Sequence, residues 1–347
     1  MVTMLTPTRK LASIQVIEGF DPIPNADAIL RTRVLGWTQV VRRDEVEAFR
    51  ASDNLCVFFE IDAQLPDGPA WSEFMRKHGF VVRTVRLRGV LAQGLALPVS
   101  ILGEGPVPAV GTDVSEQLGV THYEKEVPDD PRISGPFPPL VPKTGELRLQ
   151  SYPAVLDDLR GHAFYVTTKI DGVSGTFFQP FDGSPLVACQ RNWSAAPGDH
   201  PIWRVVDRYD LRVMIPPGLA VQGEIAGPGV PGKKNHLGLK EMEFFVFRVY
   251  DVRRDRFFNY YELVAFCRDR GLRMVPVERV VEGREAVEYL HTLEGWLAAA
   301  RGFYEGTTHR KEGIVVQTID VVRSEALGGS RLSFKVINND FLLKEQA

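Results

Sequence analysis

Cysteine is scarce. Cys56, Cys189 and Cys267 are the only three in 347 residues, and they stand far apart. They offer neither a C-x-x-C metal spacing nor an even set for a disulfide framework, so a reducing, cytoplasmic compartment is expected. No stretch of about 18 residues lacks polar side chains, which argues against a membrane-spanning helix. The first residues, MVTMLTPTRK, hold no apolar run of signal-peptide length. An excess of charge of one sign is also missing: 41 Lys+Arg against 44 Asp+Glu give a formal net charge of −3. By itself that balance argues against a nucleic-acid partner. There is no 20–50-residue repeat and no low-complexity tract.

What is present is a folding composition. Apolar residues make up 44%, with 20 Phe and 5 Trp available for burial, which excludes a disordered chain. The length suits two domains. One punctuation mark divides them. The segment PDDPRISGPFPPLVP (128–142) carries six prolines. Proline lacks the amide donor and restricts the residue before it, so a stiff, extended linker is expected over 121–142. Residues 1–120 read as short β-branched or aromatic runs: LASIQVIEGF, ILRTRVLGWTQVVRR, NLCVFFEI and GFVVRTVRLRG. Turn signals separate them, and a short helix is expected at AWSEFMRKH. The pattern predicts a closed all-β barrel of about five strands, of the OB kind. Residues 143–347 mix strand signals (AFYVTTKI, GTFFQPF, LAVQGEIAG, MEFFVFRVYD, EGIVVQT, LSFKVIN) with helical spacing at 260–271 and 284–303, which predicts an α+β domain.

The sharpest chemical signal is Lys169-Ile170-Asp171-Gly172. A lysine ending an apolar strand before Asp-Gly sits at the mouth of a sheet. An amine there can act as a nucleophile once it is neutral, which desolvation and nearby cations promote. Four letters alone also describe a surface turn with a solvated lysine. Further motifs follow in order: Arg191 in CQRNWS, Glu224 between glycines at a strand end, Phe247 in an aromatic strand, Glu312 opening another strand, and Lys335 near the chain end.

In that order these motifs resemble the covalent nucleotidyltransferase superfamily of ATP-dependent polynucleotide ligases and capping enzymes. The resemblance implies an ATP-grasp-like adenylyltransferase domain. In it Lys169 forms a lysyl-adenylate, and AMP passes to a 5′-phosphate end before a 3′-OH displaces it. Glu224 would hold the ribose and Phe247 would stack on adenine. Thr168 and Gly172 would line the nucleotide site. Arg191 and Lys335 would surround the α-phosphate, where negative charge grows in the transition state. Asp171 and Glu312 would hold Mg²⁺ or Mn²⁺, in part through water. An OB-like barrel that precedes this domain resembles the RNA ligases of the Deinococcus–Naegleria type, through IPNADAILRTRVLGW, VFFEIDAQLP and GFVVRTVRLRGVLAQGLALP. That family seals nicks whose 3′-OH strand ends in RNA, and a monomer is expected.

Two departures stand out. Ser174 occupies the place where DNA ligases carry arginine, five residues after the nucleophile. The second position of the usual Lys-x-Lys near the end is Ile337, which leaves one fewer cation unless another residue, such as Arg148, supplies it. Lys233 and Lys234 follow Glu224 in a Gly/Pro loop and are either phosphate contacts or a solvated pair. Arg86 and Arg88, two apart on an expected strand, would share a face that either follows a nucleic-acid backbone or is merely solvated. His236 and His309 lie near motifs without metal spacing, and Trp37 is expected in the core. Two other functions compete. An RNA-capping guanylyltransferase would label with GTP. A non-catalytic RNA-binding protein on this scaffold would have lost catalytic residues, yet Lys169, Glu224, Glu312 and Lys335 are all present. Net charge is near neutral in both parts, so binding to an RNA-containing nicked duplex would rest on local basic patches and weaken steeply with salt.

Overall fold

In a computed structural model of the protein, residues 10–123, 130–289 and 291–345 are described. The chain divides near residue 125 into two compact units.

In the N-terminal unit, Ala12–Val16, Leu55–Phe59 and Leu95–Pro98 form one antiparallel sheet, and Asp21–Ile23, Ala26–Val34 and Trp37–Arg42 form another. Backbone bonds close the two into a ring. Glu18 N–H donates to the Arg33 carbonyl at 2.8 Å, and Gln93 N–H donates to the Thr38 carbonyl at 3.1 Å. The two three-stranded sheets are thus linked edge to edge, and a core that includes Ile14, Val57, Phe59, Leu65 and Leu97 packs against the first of them. Trp37 is buried. The expected helix is a short 3-10 turn, Glu73–His78, ended by Gly79 at φ +61°. Arg88 departs from expectation. Val85–Leu87 and Val90–Ala92 form a hairpin, and Arg88 is in its turn, at φ +48° beside Gly89 at φ +81°. Positive φ at both central residues is the type I′ hairpin turn. Arg88 is thus off the strand that carries Arg86, and the shared-face argument fails. The Arg86 side chain lies outside the described residues.

The proline-rich stretch is also different from the linker expected over 121–142. Thr121–His122 pairs with Ala63–Gln64 in the first unit. Ile133–Pro136 adds an edge strand to Trp193–Ala195, with an irregular register at Gly135. Phe137 and Val141 are buried against Phe178, Cys189, Tyr250 and Phe257. Proline is compatible with this because an edge strand leaves a row of amides unpaired.

The C-terminal unit holds two sheets. The larger has the order Ile133–Pro136, Trp193–Ala195, Val187–Cys189, Val173–Phe178, Leu219–Ala226, Glu243–Asp251, Arg256–Phe257, with Arg273–Met274 alongside Glu243–Asp251. Helices Pro201–Arg208 and Tyr260–Asp269 cover one of its faces with Ile202, Val206, Leu263 and Phe266. The smaller sheet has the order Leu147–Arg148, Ser333–Ile337, Gly313–Thr318, Phe164–Lys169, Val277–Val281. Period-two alternation sorts its side chains. Phe164, Val166, Ile314, Val316, Phe334 and Val336 point into a core with Trp296, so Lys169, Val315, Gln317 and Lys335 take the opposite face. The expected long helix over 284–303 is broken into Gly283–Glu288 and Leu293–Ala299, because Thr292 caps the second by accepting from Gly295 N–H.

Candidate active site

The two sheets meet at the nucleophile motif. Phe164–Lys169 belongs to the smaller sheet and Val173–Phe178 to the larger, so the chain crosses between them at residues 170–172. Ile170 is buried among Ala226, Phe245 and Val275. The crossing is tight. A Cβ on Gly172 would stand 2.3 Å from the Ile225 carbonyl oxygen and 2.8 Å from Glu224 Cγ, so only glycine fits there. Gly313, after Glu312, is under a similar constraint: its φ is +150°, and a Cβ would stand 2.1 Å from the Val336 oxygen.

Between the sheets lies a cleft of about 400 Å³, within the usual range for small-molecule sites. Its lining brings together most of the residues singled out by sequence: Thr168, Lys169, Gly172, Arg191, Glu224, Phe247, Glu312 and Lys335, together with Lys233. Lys169 Nζ donates to Glu312 Oε2 at 2.6 Å. Thr168 Oγ1 donates to Glu278 at 2.8 Å, and the buried Lys311 binds the same carboxylate. Ser174 hydrogen-bonds Thr144 at 2.9 Å. Ile337 is buried. Arg148 is paired in register with Lys335 on the neighbouring parallel strand.

Burial, more than the charges around it, pushes the Glu224 carboxyl up to about 7. Lys169 opposes the shift and Glu312 adds to it. Lys335 is driven well below the ordinary lysine range, first by burial and then by Arg148, Lys169 and Arg191. At Lys233 burial acts downward, but the hydrogen bond to Asp171 and the nearby carboxylates outweigh it and the ammonium is raised.

Asp171 is buried beneath the cleft. Its Oδ1 accepts from Lys233 Nζ at 2.5 Å, and its Oδ2 is 3.9 Å from His236 Nε2. His236 is buried and packs edge-on against His309 and Phe341. Among the described residues no group of three or more His, Cys, Asp or Glu side chains gathers around a metal position. Lys234 is exposed and does not line the cleft.

Phe247 owes its place to a bulge. Gly223 pairs with Val246 and Gln222 with Arg248, so Phe247 is the extra residue. Phe244 and Phe245 are buried, while Phe247 is half-buried and faces the cleft. The bulge also re-aims Arg248, which is buried, ion-paired with Glu146 of the cleft lining, and set over the Phe257 ring. Sequence reasoning missed Arg248, Glu146 and Tyr304. None lies in a motif, and a bulge leaves no mark in the pattern of strand residues. The Tyr304 hydroxyl is buried beneath Lys169.

Comparisons with known proteins bear on the family and the fold. A family described as RNA ligase matches residues 162–337, and one described as an OB-fold domain matches residues 11–99. The structure is similar to Naegleria gruberi RNA ligase with PPi: TM-score 0.71, 30% identity, covering 97% of this chain and 99% of that one. A mutant of the same enzyme with ATP and Mn gives 0.72, 29%, 98% and 100%. A mutant with AMP and Mn gives 0.72, 30%, 97% and 99%. No curated protein matches. Among the described residues no helix is long and apolar enough to cross a membrane.

Proposed function

We infer the reaction from one premise: the chain belongs to the RNA ligase family. It is an ATP-dependent RNA ligase with an OB-fold domain before its nucleotidyltransferase domain. The finer reading is ours. The Lys169 Nζ lone pair attacks the α-phosphorus of ATP, the bond to the bridging oxygen breaks, and pyrophosphate leaves. The adenylyl group then passes from Lys169 to a 5′-phosphate end. A 3′-OH attacks that end, AMP departs, and a phosphodiester forms. The acceptor is a nicked duplex whose 3′-OH strand ends in RNA, and the protein acts as a monomer.

One observation carries the reading. Lys169 Nζ opens onto a cleft whose walls also present Glu224, Phe247, Arg191, Glu312 and Lys335. Glu224 suits the ribose hydroxyls, since a carboxylate accepts from O–H. Phe247 offers a face to the base. Arg191 and Lys335 offset charge growing on the phosphate. Mg²⁺ or Mn²⁺ fits this donor set. A hard cation that keeps most of its water needs only one or two carboxylates beside the substrate phosphates. Glu312 would hold it directly, and Asp171 through water once Lys233 yields. When bound, such an ion polarises the phosphoryl oxygens. Lys233, which also lines the cleft, would follow the phosphates. Lys234, Arg86 and Arg88 remain candidates for the nucleic-acid backbone.

The test is covalent labelling. Incubation with α-labelled ATP and Mg²⁺ or Mn²⁺, then denaturation, leaves label on the wild-type chain and none on Lys169→Ala. Label from GTP alone would mark a capping guanylyltransferase instead. Nicked duplexes with each strand as RNA or DNA then identify the acceptor, and light scattering reads the monomer.

A further inference from the structure

We propose that Tyr304 is a positioning residue for adenylylation, its hydroxyl locking the end of the Lys169 strand to the start of the Glu312 strand. The proposal rests on the ligase reading above. Backbone pairing between these two strands stops at Lys169 opposite Gly313. Just past that point the chain crosses to the other sheet, and the Asp171 and Glu312 amides leave the ladder.

Tyr304 takes up both. Its hydroxyl oxygen accepts from Asp171 N–H at 3.0 Å and Glu312 N–H at 3.2 Å, and the hydroxyl donates to the Lys169 carbonyl at 3.1 Å. A phenol has one donor and two acceptor positions, so all are used. The ring is 3% exposed, and its plane lies 16° from that of His236 with centroids 6.5 Å apart. Its backbone is held as well. Tyr304 N–H donates to the His309 carbonyl at 2.9 Å, and Thr307 Oγ1 donates to the Tyr304 carbonyl at 3.0 Å. One side-chain oxygen thus ties together the residues that carry the nucleophile, its carboxylate partner and the buried aspartate. It contacts the main chain only, so it acts through Lys169 and Glu312 and takes no part in bond making.

Small displacements of a nucleophile are costly to rate: about 1 Å can lose about 10²-fold. Tyr304→Phe keeps the ring and removes the oxygen. The expected result is a single-turnover labelling rate at saturating ATP about ten- to a hundredfold below wild type, with KM for ATP within about threefold. Thr307→Ala is the control. It loosens the same loop but leaves the hydroxyl, so it lowers the unfolding midpoint without lowering the rate. Wild-type labelling rates in Tyr304→Phe would overturn the proposal. So would equal rate losses in the two variants, or a Tyr304→Phe chain that lacks native circular dichroism, since either would assign the hydroxyl to stability alone. Label persisting in Lys169→Ala would sink the ligase reading itself, a result separate from these.

Discussion

Lys169 Nζ and Glu312 Oε2 are 2.6 Å apart across the seam between two antiparallel strands. The fold thus brings the nucleophile against a carboxylate from far along the chain. Nζ donates to Glu312, so the carboxylate stands where it can take that proton as the Nζ lone pair is freed to attack phosphorus. Glu312→Gln keeps the shape and loses the charge. Its single-turnover labelling rate with ATP should fall on the order of 10²-fold, with the fold intact by circular dichroism. A wild-type rate would remove Glu312 from the step.

Glu224 predicts a pH dependence with a definite sign. Burial raises its folded value from the ordinary 4.5 to about 7, so between those values the native state binds more protons than the unfolded chain. Stability therefore falls as pH rises from 4.5 through 7, and the full loss is present above 7. Glu224→Gln has no such loss. The unliganded variant should be more stable than wild type above pH 7, by about 1–3 kcal/mol, and the two should converge below 4.5. Urea unfolding across pH 4–8 reads this directly. ATP binding should show the reverse bias, because the carboxylate that accepts from ribose prevails only at the upper end. Parallel stability curves for the two proteins would contradict the shift.

Gly172 predicts a packing failure confined to the junction. The 2.3 Å approach to the Ile225 oxygen leaves no room for a methyl group, and that oxygen is main chain held on both sides by strands of the larger sheet. Gly172→Ala should cost about 1–3 kcal/mol of stability through overpacking. Because the strain falls between Lys169 and Glu224, labelling should drop further than the lost folded fraction accounts for. Thermal melts and labelling of the folded protein, done together, separate the two effects.

Much of this site was legible because alternation and motif order agree. Lys169, Val315 and Lys335 face one way because their neighbours Val166, Ile314, Val316, Phe334 and Val336 are apolar and must face the other. The same logic located the barrel strands. It failed where a single residue changes the period. An unbroken strand would set Arg248 on the face of Phe244 and Val246, but the bulge at Phe247 turns it over to Glu146. It failed at Arg88, because a hairpin turn of Arg-Gly carries no strong turn signal in its first letter. It failed at Pro136 too, since prolines that forbid a central strand still permit an edge one. Tyr304 acts through its hydroxyl on main-chain groups distant in sequence, and no local pattern records such a bond.

Phe247 and Phe244 allow a paired test of the bulge. Phe244 is fully buried and meets Phe177 edge-on, ring centroids 5.0 Å apart at 88°. Phe247, three residues on, is half-buried with its free face toward the cleft. Truncation should therefore divide their effects. Phe244→Ala opens a cavity and should cost about 3–5 kcal/mol, with ATP affinity of the surviving folded fraction little changed. Phe247→Ala should cost far less stability but raise KM for ATP about tenfold, the loss expected of one base–aromatic stack. At saturating ATP its labelling rate should stay near wild type, because stacking holds ground and transition states alike. Phe247→Tyr keeps the π-face and should keep the affinity. If both alanine variants lost stability equally and neither altered KM, Phe247 would be a core residue like its neighbours, and the base would lie elsewhere in the cleft.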